Sequence, residues 1–297
     1  MIMGKKYLRS VLGIAGLLFF LFIISFLFLA VILGHNSLPF GDKVAVVEVE
    51  GIITEPDSIN QQIKEYGERD DVKTIVIRIN SPGGGVGPSQ EVYREIKKVS
   101  AKKKVVASMG AVAASGGYYI AAAADKIIAN PGTITGSIGV IMEFANAEEL
   151  FAKIGFKGYV VKSGEYKDIG SPFRGMKDNE KKLLQGVIDD VHKQFIDVVA
   201  ENRKLKVDVV RKFADGRIFS GAQAKDIGLV DDIGNFQDAI DMAASMANIK
   251  GKPIVLYPEK KGIRLWDIIF GDATSRILNR FTRNYGLQYI DSYSINK

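Results

Sequence analysis

The sequence has no cysteine, two histidines and a single tryptophan among its 297 residues. Without cysteine there is neither a disulfide framework nor a Cys/His zinc site. Two histidines leave little for a His-rich metal centre, so neither a metal nor another cofactor is expected. Long polar stretches are also missing: at 47% hydrophobic and 25% charged residues, wholesale disorder is excluded. The length suits one large domain or two small ones, with ample core in either case.

A basic stripe on the body is absent as well, although the formal net charge is +6. Residues 1–10 carry Lys5, Lys6 and Arg9 and no acid, and residues 257–297 carry seven Lys/Arg against four acids. The body between them is neutral overall. A nucleic-acid groove needs basic residues clustered on the folded body, so no nucleic-acid partner is expected. Basicity confined to the two ends suits a membrane surface or polar tails.

One long apolar run is present. Val11 to Leu33 contains 23 residues and no charge. A helix of that length spans roughly the ~30 Å hydrocarbon core of a bilayer. The apolar region of a signal peptide is shorter, about 7–15 residues. Near the end of the run, neither Ala30 nor Gly34 has a second small residue two positions away, so no cleavage site stands out. An uncleaved anchor is expected. Lys5, Lys6 and Arg9 before it place the N-terminus in the cytoplasm and the body on the extracytoplasmic side. The expected organisation is a cytoplasmic N-terminus (1–10), one transmembrane anchor (11–33), a linker (34–43), a folded body (44–256) and a C-terminal tail (257–297).

Within the body, Lys43–Glu50, Thr74–Asn80, Lys104–Ser108, Asp125–Ala129 and Gly158–Lys162 read as strands. Ser58–Tyr66, Ser89–Val99, Ala147–Ile154, Asn179–Lys204, Gly221–Ile227 and Asn235–Ala247 read as helices. Strands apolar enough to be covered on both faces, alternating with helices, predict an α/β domain with a largely parallel sheet. Ser81–Gly85 (SPGGG) is expected to be a loop that continues neither neighbour. The tail, with Trp266 and several tyrosines, reads as a segment that docks on something.

Two stretches could carry chemistry. In Ser81–Val86, three consecutive glycines let backbone N–H groups converge on an anion with no Cβ in the way. Walker A is excluded, because no Gly-Lys-Ser/Thr follows, and the dinucleotide fingerprint does not fit. An oxyanion hole uses the same physics, and so does a plain tight turn. In Ala113–Tyr119 (AASGGYY), Ser115 stands among small residues at a helix start, where the helix dipole favours a developing oxyanion. A packing role as an N-cap serine fits the same residues.

A nucleophilic serine needs a base. His35 lies at the membrane edge, and His192 lies among Asp189, Asp190 and Lys193 on what reads as a solvated helix face. A neutral lysine is the known substitute. Its reference pKa near 10.4 must fall by about two pH units, roughly 3 kcal/mol, which desolvation can supply. Lys167, in a Gly/Ser/Pro-bounded loop, is the candidate, with Ser137 as a residue that could orient the amine. Composition alone does not lift either above a surface lysine and a turn serine.

Taken together, SPGGGV, ASGGYYIA, GSIGV, SGEYKDIGSPFR and GRIFSGAQA resemble, in order and spacing, the signal peptide peptidase A family, in its short form. The likeness covers roughly residues 44–250. It implies a ClpP/crotonase-like fold and a Ser/Lys dyad, with Ser115 as nucleophile and Lys167 as general base. It further implies that Ser137 orients the lysine and that the N–H of Gly83 or Gly84 supplies the oxyanion hole. Cleaved signal peptides or other apolar peptides are the implied substrates. A homo-oligomer whose neighbouring copies share a site is implied as well. Competing readings are a ClpP-class peptidase specific for one membrane protein, a crotonase-like acyl-CoA enzyme, and a non-catalytic membrane-tethered binding protein.

Overall fold

A computed structural model describes residues 16–26, residues 41–258 and the backbone of residues 288–290. The chain divides into two compact units, Met1–Gly41 and Asp42–Lys297. In the first, residues 16–26 form a helix, α1, with every residue exposed. The remainder of the expected anchor at 11–33, the cytoplasmic N-terminus and most of the linker lie outside the described residues. Among the described residues no helix is long and apolar enough to cross a membrane.

The second unit is built on a nine-stranded sheet. Its strands are β1 (Lys43–Ile53), β2 (Val72–Gly85), β3 (Lys104–Ala114), β4 (Lys126–Ala129), β5 (Ile134–Gly136), β6 (Ile218–Ser220), β7 (Asp232–Ile233), β8 (Ile254–Leu256) and β9 (Gln288–Ile290). The main path runs β6-β5-β3-β2-β1-β8, with β4 on β3, β7 on β4 and β9 on β2. The pairs β5–β6 and β2–β9 are antiparallel and the others parallel. The helices are α2 (Asp57–Glu68), α3 (Val86–Ser100), α4 (Gly116–Ala121), α5 (Glu148–Lys153), α6 (Asp178–Arg203), α7 (Val207–Arg211), α8 (Gly221–Asp226) and α9 (Phe236–Met246).

The strands alternate between two buried faces, as their period of two requires. Val44, Val46, Val76 and Val106 pack with Ala239, Ile240, Ala243 and Ala244 of α9. Ala45, Val47, Ile75, Ile77 and Met109 point the other way, into a larger core with Ile63 of α2, Val92 and Ile96 of α3, Tyr118 and Ile120 of α4 and Phe195 and Val199 of α6. Polar flanks with apolar strands in register therefore produce the expected α/β architecture.

Two sequence expectations fail locally. Ser81–Gly85 is not a loop: β2 continues through it, because Ile52 and Ile53 of β1 pair with Gly83 and Gly84. Residues 158–162 are not a strand. Their β-branched pattern finds no neighbouring strand among the described residues, and Tyr159 and Val161 stay 88% and 102% exposed. Along α6, Val191, Phe195 and Val199 are buried, whereas Leu183 and Val187 are exposed.

Candidate active site

Ser115 follows directly on β3 and caps α4. Its backbone sits at φ 53°, ψ −116°, a region costing an L-residue on the order of 1–3 kcal/mol. Neighbouring backbone enforces it: Ser115 N–H donates to Gly136 O at 2.8 Å, and Tyr119 N–H donates to Ser115 O at 2.8 Å. Gly117 lets α4 sit this close, since a Cβ there would stand 2.8 Å from Ser81 O. Tyr118 anchors the helix by donating to Leu229 O at 3.0 Å. The Tyr119 ring packs against Tyr93 and Phe195, and burial pushes its phenol up to about 12. The outcome is a serine 1% exposed whose Oγ has no hydrogen-bond partner among the described residues. A buried hydroxyl left unpartnered costs on the order of 1–3 kcal/mol.

Ser137 arrives beside it through strand register. Ala114 pairs with Gly136, so Ser115 and Ser137 leave adjacent strands at the same level. Ser137 also has positive φ, 50°, and its N–H donates to Arg217 O at 2.8 Å. Gly136, at φ +78°, could carry no side chain without a Cβ 2.6 Å from the Phe219 ring. The Gly-Arg-Ile-Phe-Ser stretch that forms β6 thus shapes this end of the sheet.

The third strand end is that of β2. Ser81 pairs with Ala113, two residues before Gly83 and Ser115 in their respective stretches. Gly83 has φ +108°. Its N–H donates to Ser81 Oγ at 3.1 Å, and that hydroxyl donates to Gly51 O at 2.6 Å. Gly84 is pressed against β1: a Cβ would lie 2.1 Å from Ile53 O. A further donor, not anticipated from the sequence, is the N–H of Gly116. As the first residue of α4 it has no acceptor inside the helix.

Lys167 is placed differently. It lies on a single 3-10 turn, Glu165–Asp168, and its side chain is exposed. Because Ser115 Oγ has no partner, Lys167 Nζ does not reach it within one chain. Strand register therefore brings Ser115 and Ser137 together, Gly83 and Gly84 lie at the end of the neighbouring β2, and Lys167 is not joined to Ser115 by a hydrogen bond. His192 is half-buried and not on a solvated face, and its Nε2 is likewise without a partner among the described residues.

An ion-pair clamp that the sequence reading missed holds the Lys167 turn. Arg174 donates to Asp168 from Nε at 3.0 Å and from Nη2 at 2.9 Å. It also donates to Glu180 at 2.5 and 2.8 Å. Lys162 pairs with Asp168 as well. Glu180 side chain is fully buried at the start of α6 and accepts from Lys177 N–H at 2.8 Å. Arg174 first, then that backbone N–H, lowers the Glu180 carboxyl to about 2. Arg174 and Lys162 hold Asp168 well below the usual carboxylate range. The six-residue spacing of Arg174 from both carboxylates was the available signal.

Comparison with known proteins gives a consistent picture. The model of peptidase family S49 matches residues 97–250, and that of the Clp proteases matches residues 50–133. A Synechocystis protein described as a protease is 46% identical over 209 residues, covering 70% of this chain and 75% of that protein. An Enterococcus faecium protein named for signal peptide peptidase is 34% identical over 229 residues, covering 72% and 67%. Protease 4 of Haemophilus influenzae is 35% identical over 226 residues, covering 73% of this chain but 36% of its own length.

Proposed function

The chain belongs to peptidase family S49 and is a serine-type peptidase, and from that footing we propose that it is a membrane-anchored Ser/Lys endopeptidase acting on apolar peptides, cleaved signal peptides among them. Ser115 Oγ attacks the peptide carbonyl and passes its proton to the neutral amine of Lys167. Lys167 returns that proton to the leaving amine, and water then releases the acyl group from Ser115. Ser137, level with Ser115, orients the amine. A backbone N–H stabilises the oxyanion, that of Gly83 once it leaves Ser81 Oγ or that of Gly84. The observation that carries this reading is the buried, strained Ser115 with its unpartnered hydroxyl. A structural serine at that place would have bonded to backbone.

The exposure of Lys167 supports a site shared between copies. Within one chain Lys167 is open to solvent, whereas a lysine base needs desolvation. Leu150, Ile154, Phe156, Val160, Leu183 and Val187 lie exposed in the segment that carries Lys167 and on the adjoining start of α6. Such apolar surface is characteristic of an interaction site. In this reading a neighbouring copy covers it, dehydrates Lys167 and brings it to Ser115. The 23-residue apolar run before the body supports anchoring with the peptidase unit outside the cytoplasm. The signal-peptide substrate rests on the name of the Enterococcus relative.

The test uses the full chain in detergent and an apolar fluorogenic peptide. Ser115→Ala and Lys167→Ala each lose activity by about 10⁴-fold or more. Dissociated, mixed and reassembled, the two dead proteins regain activity, because about a quarter of the shared sites in a cyclic oligomer then hold both intact groups. A Lys167→Ala protein with most of its activity overturns the base assignment, and failure of the mixture to recover overturns sharing.

A further inference from the structure

The body is neutral overall, yet its charge is spread unevenly along the strands. β1, β2, β3, β4 and β8 run parallel, so all five begin at one end of the sheet. Register keeps the starts close: Lys43 stands opposite Val72 and Ile254, Lys104 opposite Thr74 and Lys126 opposite Val106. The chain enters these strands through residues 42–43, 69–73, 101–104, 122–126 and 247–253. Those stretches hold nine Lys/Arg and four acids. It leaves the same strands through residues 54–56, 115, 130–133 and 257–258, while β2 runs straight into α3. The leaving stretches hold one acid, Glu55, and no Lys or Arg. The sheet is therefore basic where its strands start and not where Ser115 stands.

The acids at this rim neutralise only part of it. Asp71 takes Lys43 and Arg69, Asp42 takes Lys73, and Asp125 takes Lys104. Asp231, which reaches Lys126, is matched by Arg203 as well. Lys103 Nζ donates to the carbonyls of Tyr66 and Arg69 at 2.9 and 2.6 Å, closing the C-terminal end of α2. Lys102, Lys250 and Lys252 are exposed and have no ion pair among the described residues. A face evolved only for solubility mixes both signs. Here the unpaired charges share one sign and one end.

That end is also where the chain leads back to its apolar run. β1 opens at Lys43, ten residues after Leu33, and ten extended residues reach at most about 35 Å. We propose that this rim seats on the anionic headgroups of the membrane that holds the apolar run, with Lys102, Lys250 and Lys252 as its main contacts. The proposal rests on the anchoring proposed above. A lysine near an anionic surface strengthens binding about fivefold, within a Debye length. The short link makes the contact intramolecular, so a few such lysines suffice. Docking also sets a height. β3 has 11 residues, at about 3.3 Å each, so Ser115 is held roughly 35 Å from the rim. A peptide still in the bilayer reaches that height only after about ten extended residues have come out. The docked body therefore cuts peptides that have left the bilayer.

The experiment reconstitutes the full chain in vesicles of phosphatidylcholine alone and of phosphatidylcholine mixed with phosphatidylglycerol. Amide exchange in residues 101–104 and 248–252 is slower in the mixed vesicles by about fivefold or more. Residues 54–56 and 130–133 exchange alike in both, and molar salt removes the difference. Replacing Lys102, Lys250 and Lys252 together by glutamate abolishes the slowing, and replacing all three by arginine preserves it. Equal exchange in the two compositions overturns the proposal and assigns any protection of the rim to a protein contact. Slowing that survives the glutamate variant overturns it too. Flotation with phosphatidylcholine vesicles in molar salt reports the anchor alone. A chain that stays behind there has no anchor, a separate failure, and exchange with added mixed vesicles still decides the rim.

Discussion

The two halves of the proposed catalytic machinery are built in opposite ways. Ser115 stands where β3 and β5 end together beside β2, among residues that are almost all buried. Lys167 stands in a segment, residues 141–179, in which no residue is buried at all. The first half is fixed by sheet register and by glycines fitted to their neighbours. The second is fixed by one arginine bridging two carboxylates. A rigidly placed serine and a lysine left open to solvent are the arrangement expected under the proposed reading, in which assembly completes the site and a lone copy does not cut.

The same substitution should behave differently in the two halves, and this is the largest effect expected. Gly84→Ala puts a Cβ 2.1 Å from the Ile53 carbonyl, backbone that cannot yield cheaply. Overpacking of that kind costs about 1–3 kcal/mol or more. Gly164→Ala, at φ −156° and with the Lys167 side chain 3.9 Å away as its nearest neighbour, should stay within about 0.5 kcal/mol. Denaturant unfolding of the two variants measures the difference, and similar midpoints would break the comparison.

Next in size is the clamp. Arg174→Ala frees Asp168 and leaves the Glu180 carboxylate buried without its partner. Misplacing a catalytic group by about 1 Å costs on the order of 10²-fold in rate, so kcat should fall by about that factor. KM should change little, because the clamp acts on the Lys167 half. Arg174→Lys, which cannot fork between two carboxylates, should recover only part of the loss. A fall confined to KM would move Arg174 from the base to the substrate.

The smallest effect is a pH dependence within the Lys167 half. Glu180 and Asp168 are both held below their ordinary pKa in the folded protein. A depressed carboxylate stabilises the fold above its unfolded pKa, about 4.3 for Glu, and the gain is lost as pH falls through the folded value. For Glu180 that window runs from about 4.3 down to about 2. Amide exchange in residues 162–180 should accelerate across it while the strands around Ser115 stay protected, and Glu180→Gln should flatten the response.

Much of this was legible in the sequence for a local reason. Strands and helices announce themselves by apolar period, and the site motifs are runs of small residues whose geometry is short-range. The five stretches that carry the family resemblance are of this kind, and Ser115, Ser137, Gly83 and Gly84 come from them. Where the reading failed, the deciding partner was remote. Ser81–Gly85 looks like a loop until Ile52 and Ile53 are laid beside it. Residues 158–162 look like a strand until no neighbour is found for them. His192 looks solvated until its helix packs against α3 and α4.

The sequence by itself determined most of the element types, the two buried faces of the sheet, the serine at a strand–helix junction and the scarcity of histidine. Those follow from side-chain period, backbone freedom and residue chemistry, which act over a few residues. Only the tertiary structure decided that Ser115 and Ser137 stand side by side, that Arg174 holds the Lys167 turn, and that residues 288–290 pair with the end of β2. Those follow from strand register and from buried charges seeking partners, interactions in which sequence distance counts for little.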